Sequence, residues 1–90
     1  MNDSELRALL ERLRAELEQT RSVDKKGQEL LRLLGTDIEE LLERSEAVPI
    51  SVHPSKLEHL EASIRHFEVT HPALSGLLSR LFEALSNAGI

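Results

Sequence analysis

Between Thr70 and Ile90 the chain reads THPALSGLLSRLFEALSNAGI and carries only two charged side chains, Arg80 and Glu83. The segment from Asp3 to Arg21, of almost the same length, carries nine. A helix with so little charge cannot turn most of its circumference to water, so it is expected at the centre of whatever forms. Leu74, Leu77, Leu78, Leu81, Phe82 and Leu85 give it a wide apolar stripe at helical spacing. Ser75, Gly76, Ser79 and Ser86, small and uncharged, lie opposite. That surplus face is expected to be covered by a helix of the same chain or of a second one. Thr70 is read as the N-cap, with Pro72 in the first turn, where its missing N–H is harmless. Val69 and Leu74 then have the spacing of a hydrophobic staple. At the other end, Gly89 suits a left-handed residue, with Leu85 and Ile90 in the contact positions of a Schellman stop.

The helix that precedes this stretch starts at Ser55, where Ser55-Lys56-Leu57-Glu58 has the form of a capping box. Leu57, Leu60, Ile64 and Phe67 form a narrow seam along it, and Glu61 and Arg65 pair at i,i+4. Before it, Arg44 to Pro54 is the linker. Pro49 and Pro54 forbid a helix there, and the alternation of Val48, Ile50 and Val52 with Pro49, Ser51 and His53 predicts an extended segment laid on the core.

The first half predicts two more helices. One runs from Asp3 to about Thr20, capped by Asn2 or Asp3, with Leu6, Leu10, Leu13 and Leu17 spaced as a two-per-heptad seam of the coiled-coil kind. Arg7/Glu11, Arg12/Glu16 and Arg14/Glu18 lie at i,i+4 on its solvated faces. After the turn Ser22-Val23-Asp24, with Asp24 as N-cap, a second helix covers about 25–44; its apolar positions are Leu30, Leu31, Leu33, Leu34, Ile38, Leu41 and Leu42, of which Leu31, Leu34, Ile38 and Leu41 form its seam. The apolar phase runs through Gly35 without a slip, so the helix is read as continuous. Gly35 is read as a place where a neighbouring helix approaches closely.

The expected fold is therefore all-α: two antiparallel helical hairpins, 1–44 and 55–90, joined by the extended Pro-containing linker 45–54, in one domain of 90 residues. The chain has no Trp, Tyr or Cys, and its aromatic side chains are Phe67 and Phe82. So thin an aliphatic core favours a homodimer. The predicted packing or partner face comprises Ser75, Gly76, Ser79 and Gly35.

Chemistry is harder to find. The net charge is −5, and residues 23–47 hold seven acidic and four basic side chains, so nucleic acid and anionic membrane are not expected partners. The absence of Cys excludes thiol chemistry and suits a reducing compartment. No apolar leader or spanning run is present, which places the protein in the cytoplasm as a soluble chain. Of the four histidines, His59 and His66 share a face but sit about 10 Å apart along a helix, too far to share one ion. His53 and His71 flank prolines in turns. All four are read as solvated or boundary residues, and no metal, cofactor or catalytic residue is assigned. No phosphate-binding glycine loop occurs. A helix-turn-helix reading fails because the would-be recognition helix has one Arg and no Lys.

FEVTHPALSGLLSRLFEALSNAGI at Phe67–Ile90, DIEELLER at Asp37–Arg44 and the SVD turn at Ser22–Asp24 resemble a family of small bacterial proteins, domain-of-unknown-function family 4404. The resemblance extends over essentially the whole chain. It implies a stand-alone small protein and carries no activity or site residue over. Three functions from different classes stay open. The favoured one is a non-enzymatic interaction or regulatory module that binds protein through helical surfaces. The second is an acidic, antitoxin-like inhibitor of a basic partner. The third is an enzyme or carrier whose site forms only between subunits.

Overall fold

The computed structural model describes residues 3–22, 24–44 and 54–87, and every regular element among them is helical: α1 (Asp3–Gln19), α2 (Lys25–Arg44), α3 (Pro54–Phe67) and α4 (Pro72–Asn87). Asp24 starts α2 as its capping chemistry demands. Its Oδ1 accepts from the Gly27 amide at 3.1 Å, and its carbonyl accepts from Gln28 at 3.1 Å. The helix continues unbroken through Gly35.

Two starts differ from the sequence reading. α3 begins at Pro54, so Ser55 is its second residue and not its cap; the fixed φ of proline is preorganised for a first helical position. α4 is capped by His71, whose carbonyl accepts from Ser75 at 3.0 Å, and not by Thr70. The staple does not form either, because Val69 is 85% exposed. The His71 amide is bonded back to the Phe67 carbonyl at 2.8 Å, and this closes a turn that leaves Val69 outside. Asn2, the linker residues 45–53 and the Gly89 stop lie outside the described residues.

Each helix packs on two neighbours: α1 on α2 and α4, and α3 on α2 and α4. The body measures 37 × 22 × 18 Å. That is one helix length by two helices by two, since packed helix axes lie about 8–10 Å apart. α2 and α3 run antiparallel, with Lys56 beside Glu40, His59 beside Asp37 and His66 beside Asp24. The two hairpins therefore close on each other within one chain.

This closure explains where the seams were too narrow. A line of two residues per heptad serves one neighbour, whereas every helix here has two. So α1 buries Leu9 beside Leu10 and Leu13, and α2 buries Leu30, Asp37 and Leu42 beside Leu34, Ile38 and Leu41. On α3 the inner face is turned from the expected one. Leu60, Ser63 and Phe67 are buried, while Leu57 and Ile64 are only partly covered. α4 fills one corner of the square and is not central: Pro72, Ala73, Gly76, Arg80 and Glu83 face water. Lack of charge misled because Ala, Gly and Ser cost little when exposed.

The turned face of α3 leaves one polar atom stranded. Ser63 Oγ is buried without a hydrogen-bond partner among the described residues. Such a group costs about 1 kcal/mol or more, and alanine is also the better helix former. Ser63→Ala is therefore expected to raise the urea midpoint, with a gain of about 1 kcal/mol; a loss would mean that the hydroxyl has a partner.

Candidate functional site

The described residues bring charge together in one interior place, the seam between α2 and α3. Asp37 occupies an inward position of α2, three residues after Leu34 and four before Leu41, and is 8% exposed. Lys56 is in phase with Leu60, Ser63 and Phe67 on α3 and points at it. Lys56 Nζ lies 3.1 Å from Asp37 Oδ1 and 2.6 Å from Glu40 Oε2. The second oxygen of Asp37 accepts from His59 Nδ1 at 3.3 Å, an assignment of the proton that the carboxylate acceptor requires. The hydrogen bond to Glu40, helped by Asp37, raises the Lys56 pKa above its ordinary value in spite of partial burial.

That arrangement limits the chemistry available. A lysine held as ammonium between two carboxylates is neither a base nor a nucleophile. Both Asp37 oxygens are taken, and among the described residues no group of His, Cys, Asp and Glu could hold a metal ion. The cluster is an electrostatic clasp between the hairpins.

A second clasp sits at the end of the bundle where the 20–24 and 68–71 turns meet. His66 Nε2 donates to Asp24 at 3.1 Å, and His71 Nε2 donates to the Arg21 carbonyl at 2.8 Å. Thr70 Oγ1 is in hydrogen-bond contact with His71 Nδ1 at 3.0 Å. The Phe67 ring stands edge-on between both imidazoles, with centroids 5.0 and 5.4 Å away. Asp24 is tied further by Ser22 Oγ at 2.6 Å, and this bond, with those from His66 and Gly27, lowers its pKa. Gly27 belongs to the same construction: a Cβ there would stand 2.0 Å from Ser22 Oγ and 2.4 Å from Asp24 Oδ1.

The residues singled out from sequence are not brought together. Ser75 is covered, but by its own hairpin, with Oγ donating to the Ile64 carbonyl at 3.1 Å. Ser79 is half-buried and Gly76 is exposed. Neither Gly35 nor Gly76 is approached closely among the described residues, since a Cβ on either would meet nothing there within 4 Å. Gly35→Ala and Gly76→Ala are each expected to stabilise by about 0.5–1 kcal/mol in thermal unfolding, through helix propensity alone. A loss on dilution-sensitive melting would instead mark an intermolecular approach there.

His59, His66, His71, Asp37 and Lys56 were missed as a set. The signal was present for two of them: Asp37 and Lys56 each stand in the apolar phase of their helix, where a charge needs a partner.

Outside the clasps, the surface between α3 and α4 forms a groove of about 250 Å³ lined by Leu57, Glu58, Glu61, Ala62, Arg65 and Phe82. No helix among the described residues is long and apolar enough to cross a membrane.

Helix order and pairwise packing define a small all-α four-helix bundle. The chain belongs to the family described as Domain of unknown function (DUF4404), whose model matches residues 6–90. No curated protein and no solved structure is significantly similar to it.

Proposed function

We propose that the protein is a non-enzymatic interaction or regulatory module, cytoplasmic and homodimeric, that binds a partner protein through its helical surfaces and needs no cofactor, nucleic acid or membrane. One observation carries this reading. The ionisable groups drawn into the seam between α2 and α3 are consumed on one another, while Leu57, Ala62 and Phe82 are left facing outward in a groove framed by charge. Apolar side chains rimmed by Glu and Arg are the composition of a helix-binding groove. The acidic-inhibitor alternative loses ground because Asp37, Glu39 and Glu40 already have cationic partners, Glu39 with Arg14 at 3.5 Å.

The test is photo-crosslinking in the native host, with the reactive residue placed at Ala62 or Phe82 and, as control, at Ala15 on α1. A reproducible adduct with one protein from the groove positions, absent from the control, is the expected result. No reproducible adduct with another protein would count against partner binding.

A further inference from the structure

The outward face of α3 carries Glu58, Glu61, Ala62 and Arg65, all exposed and spaced i, i+3, i+4, i+7. On a helix these four form a single stripe. Part of the stripe is its own complement. Turned about a two-fold axis perpendicular to α3 and midway between residues 61 and 62, Glu58 falls opposite Arg65 of the other copy, and Arg65 opposite its Glu58. Ala62 falls beside Ala62 on one side of the contact, and Glu61 beside Glu61 on the other, where each carboxylate is held by the Arg65 of its own helix. We propose that α3 pairs antiparallel with α3 of a second copy of this chain, as an isologous contact centred on Ala62 and closed by two Glu58–Arg65 ion pairs.

Three observations support that occupant. Ala62, at the axis, has the smallest side chain of the stripe and lets two helices approach. Arg65 holds Glu61 of its own helix at 3.2 Å while remaining 78% exposed, and a guanidinium has five N–H groups, enough to serve Glu58 of the other copy as well. Leu57 and Phe82, partly buried beside the stripe, add an apolar flank that the chain itself leaves incompletely covered. Two copies of net charge −5 repel overall, and the two Glu58–Arg65 pairs place cation against anion where they meet.

The contact spans about 10 Å of helix and is smaller than the standard protein interface, so self-association is weak and concentration-dependent. The proposal rests on the interaction-module reading for its purpose, yet the two fail separately. A wild-type monomer with groove crosslinks to another protein overturns the self-contact and the homodimer, and leaves the partner-binding part of the module reading standing. A dimer without such crosslinks does the reverse.

The experiment is sedimentation equilibrium on the full chain at concentrations up to ~1 mM, the range of a contact below standard size. Wild type is expected to show a monomer–dimer equilibrium. E58R alone and R65E alone each set like charges opposite one another twice, and are expected to associate at least about tenfold more weakly. An equimolar mixture of the two restores both attractive pairs and is expected to recover the wild-type dimer fraction, as is the double variant E58R/R65E. Helical circular dichroism establishes that each variant is folded. Should R65E lose helicity, through the repulsion it creates with Glu61, Ala62→Gln serves instead: it lengthens the side chain at the axis without changing charge and is expected to weaken association about tenfold. A wild type that stays monomeric throughout overturns the proposal. So do folded single variants that associate like wild type, a mixture that associates no better than its components, or A62Q indistinguishable from wild type.

Discussion

Phe67→Ala is expected to cost about 3–5 kcal/mol and to lower the melting temperature by roughly 15–30 °C, if it leaves a folded protein at all. Phe67 is the largest fully buried side chain, 1% exposed, in a core otherwise made of Leu and Ile. No neighbour can expand to fill the space, since the chain has no Trp or Tyr and its other Phe, Phe82, is only partly buried. A domain of this size has a total stability of about 5–13 kcal/mol, so one cavity removes a large share of it. The location adds to the effect. The ring supports His66 and His71, which carry the hydrogen bonds from the second hairpin to Asp24 and Arg21. Amide exchange in the 20–24 and 68–71 turns is expected to accelerate before exchange in mid-helix. Phe67→Leu retains most of the volume and is expected to cost less than about 2 kcal/mol. Equal losses from the two substitutions in urea unfolding would contradict a packing origin.

Lys56→Met is the second large effect. It removes the cation between Asp37 and Glu40 and leaves a buried carboxylate without its partner, at a cost of about 3 kcal/mol. The double variant K56M/D37L replaces the pair by apolar groups and is expected to return close to wild type, because a buried pair seldom outperforms its hydrophobic substitute. A double-mutant cycle in urea reads this as strong coupling. The pH dependence has a definite sign. The folded pKa of Lys56 is raised above its ordinary value of 10.5, so its contribution is complete below that pH and is lost as pH climbs through the raised value. Wild type is expected to lose stability on this alkaline limb more steeply than K56M. Parallel curves would remove the clasp from the account.

Most of the scaffold was legible from local chemistry. The Leu spacing, the Asp24 cap and the apolar phase through Gly35 located α2, and the four-helix count followed from similar signals. Those signals are properties of one helix and its nearest chain neighbours. What they do not encode is how many helices each one touches. Two neighbours in place of one rotated the inner face of α3 onto Lys56 and Ser63, widened the stripes of α1 and α2, and moved α4 from the centre to a corner. The electrostatic clasps were hidden for a related reason. His59 and Asp37 are 22 positions apart, and His66 and Asp24 are 42 apart, so only the closed bundle makes them partners. Glu40 likewise meets Lys56 only through the antiparallel register of α2 and α3.

The hairpins close within one chain, and the outer stripe of α3 is the surface proposed for a second. Isotope-filtered NOE spectroscopy on a mixture of ¹³C-labelled and unlabelled protein tests both directly. Intermolecular NOEs are expected only from the Ala62 methyl, Leu57 and the Phe82 ring, with Leu10, Leu34, Leu78 and Leu81 showing intramolecular contacts alone. Intermolecular NOEs from those four core leucines would mean that the hairpins exchange between chains, and would contradict closure within one chain.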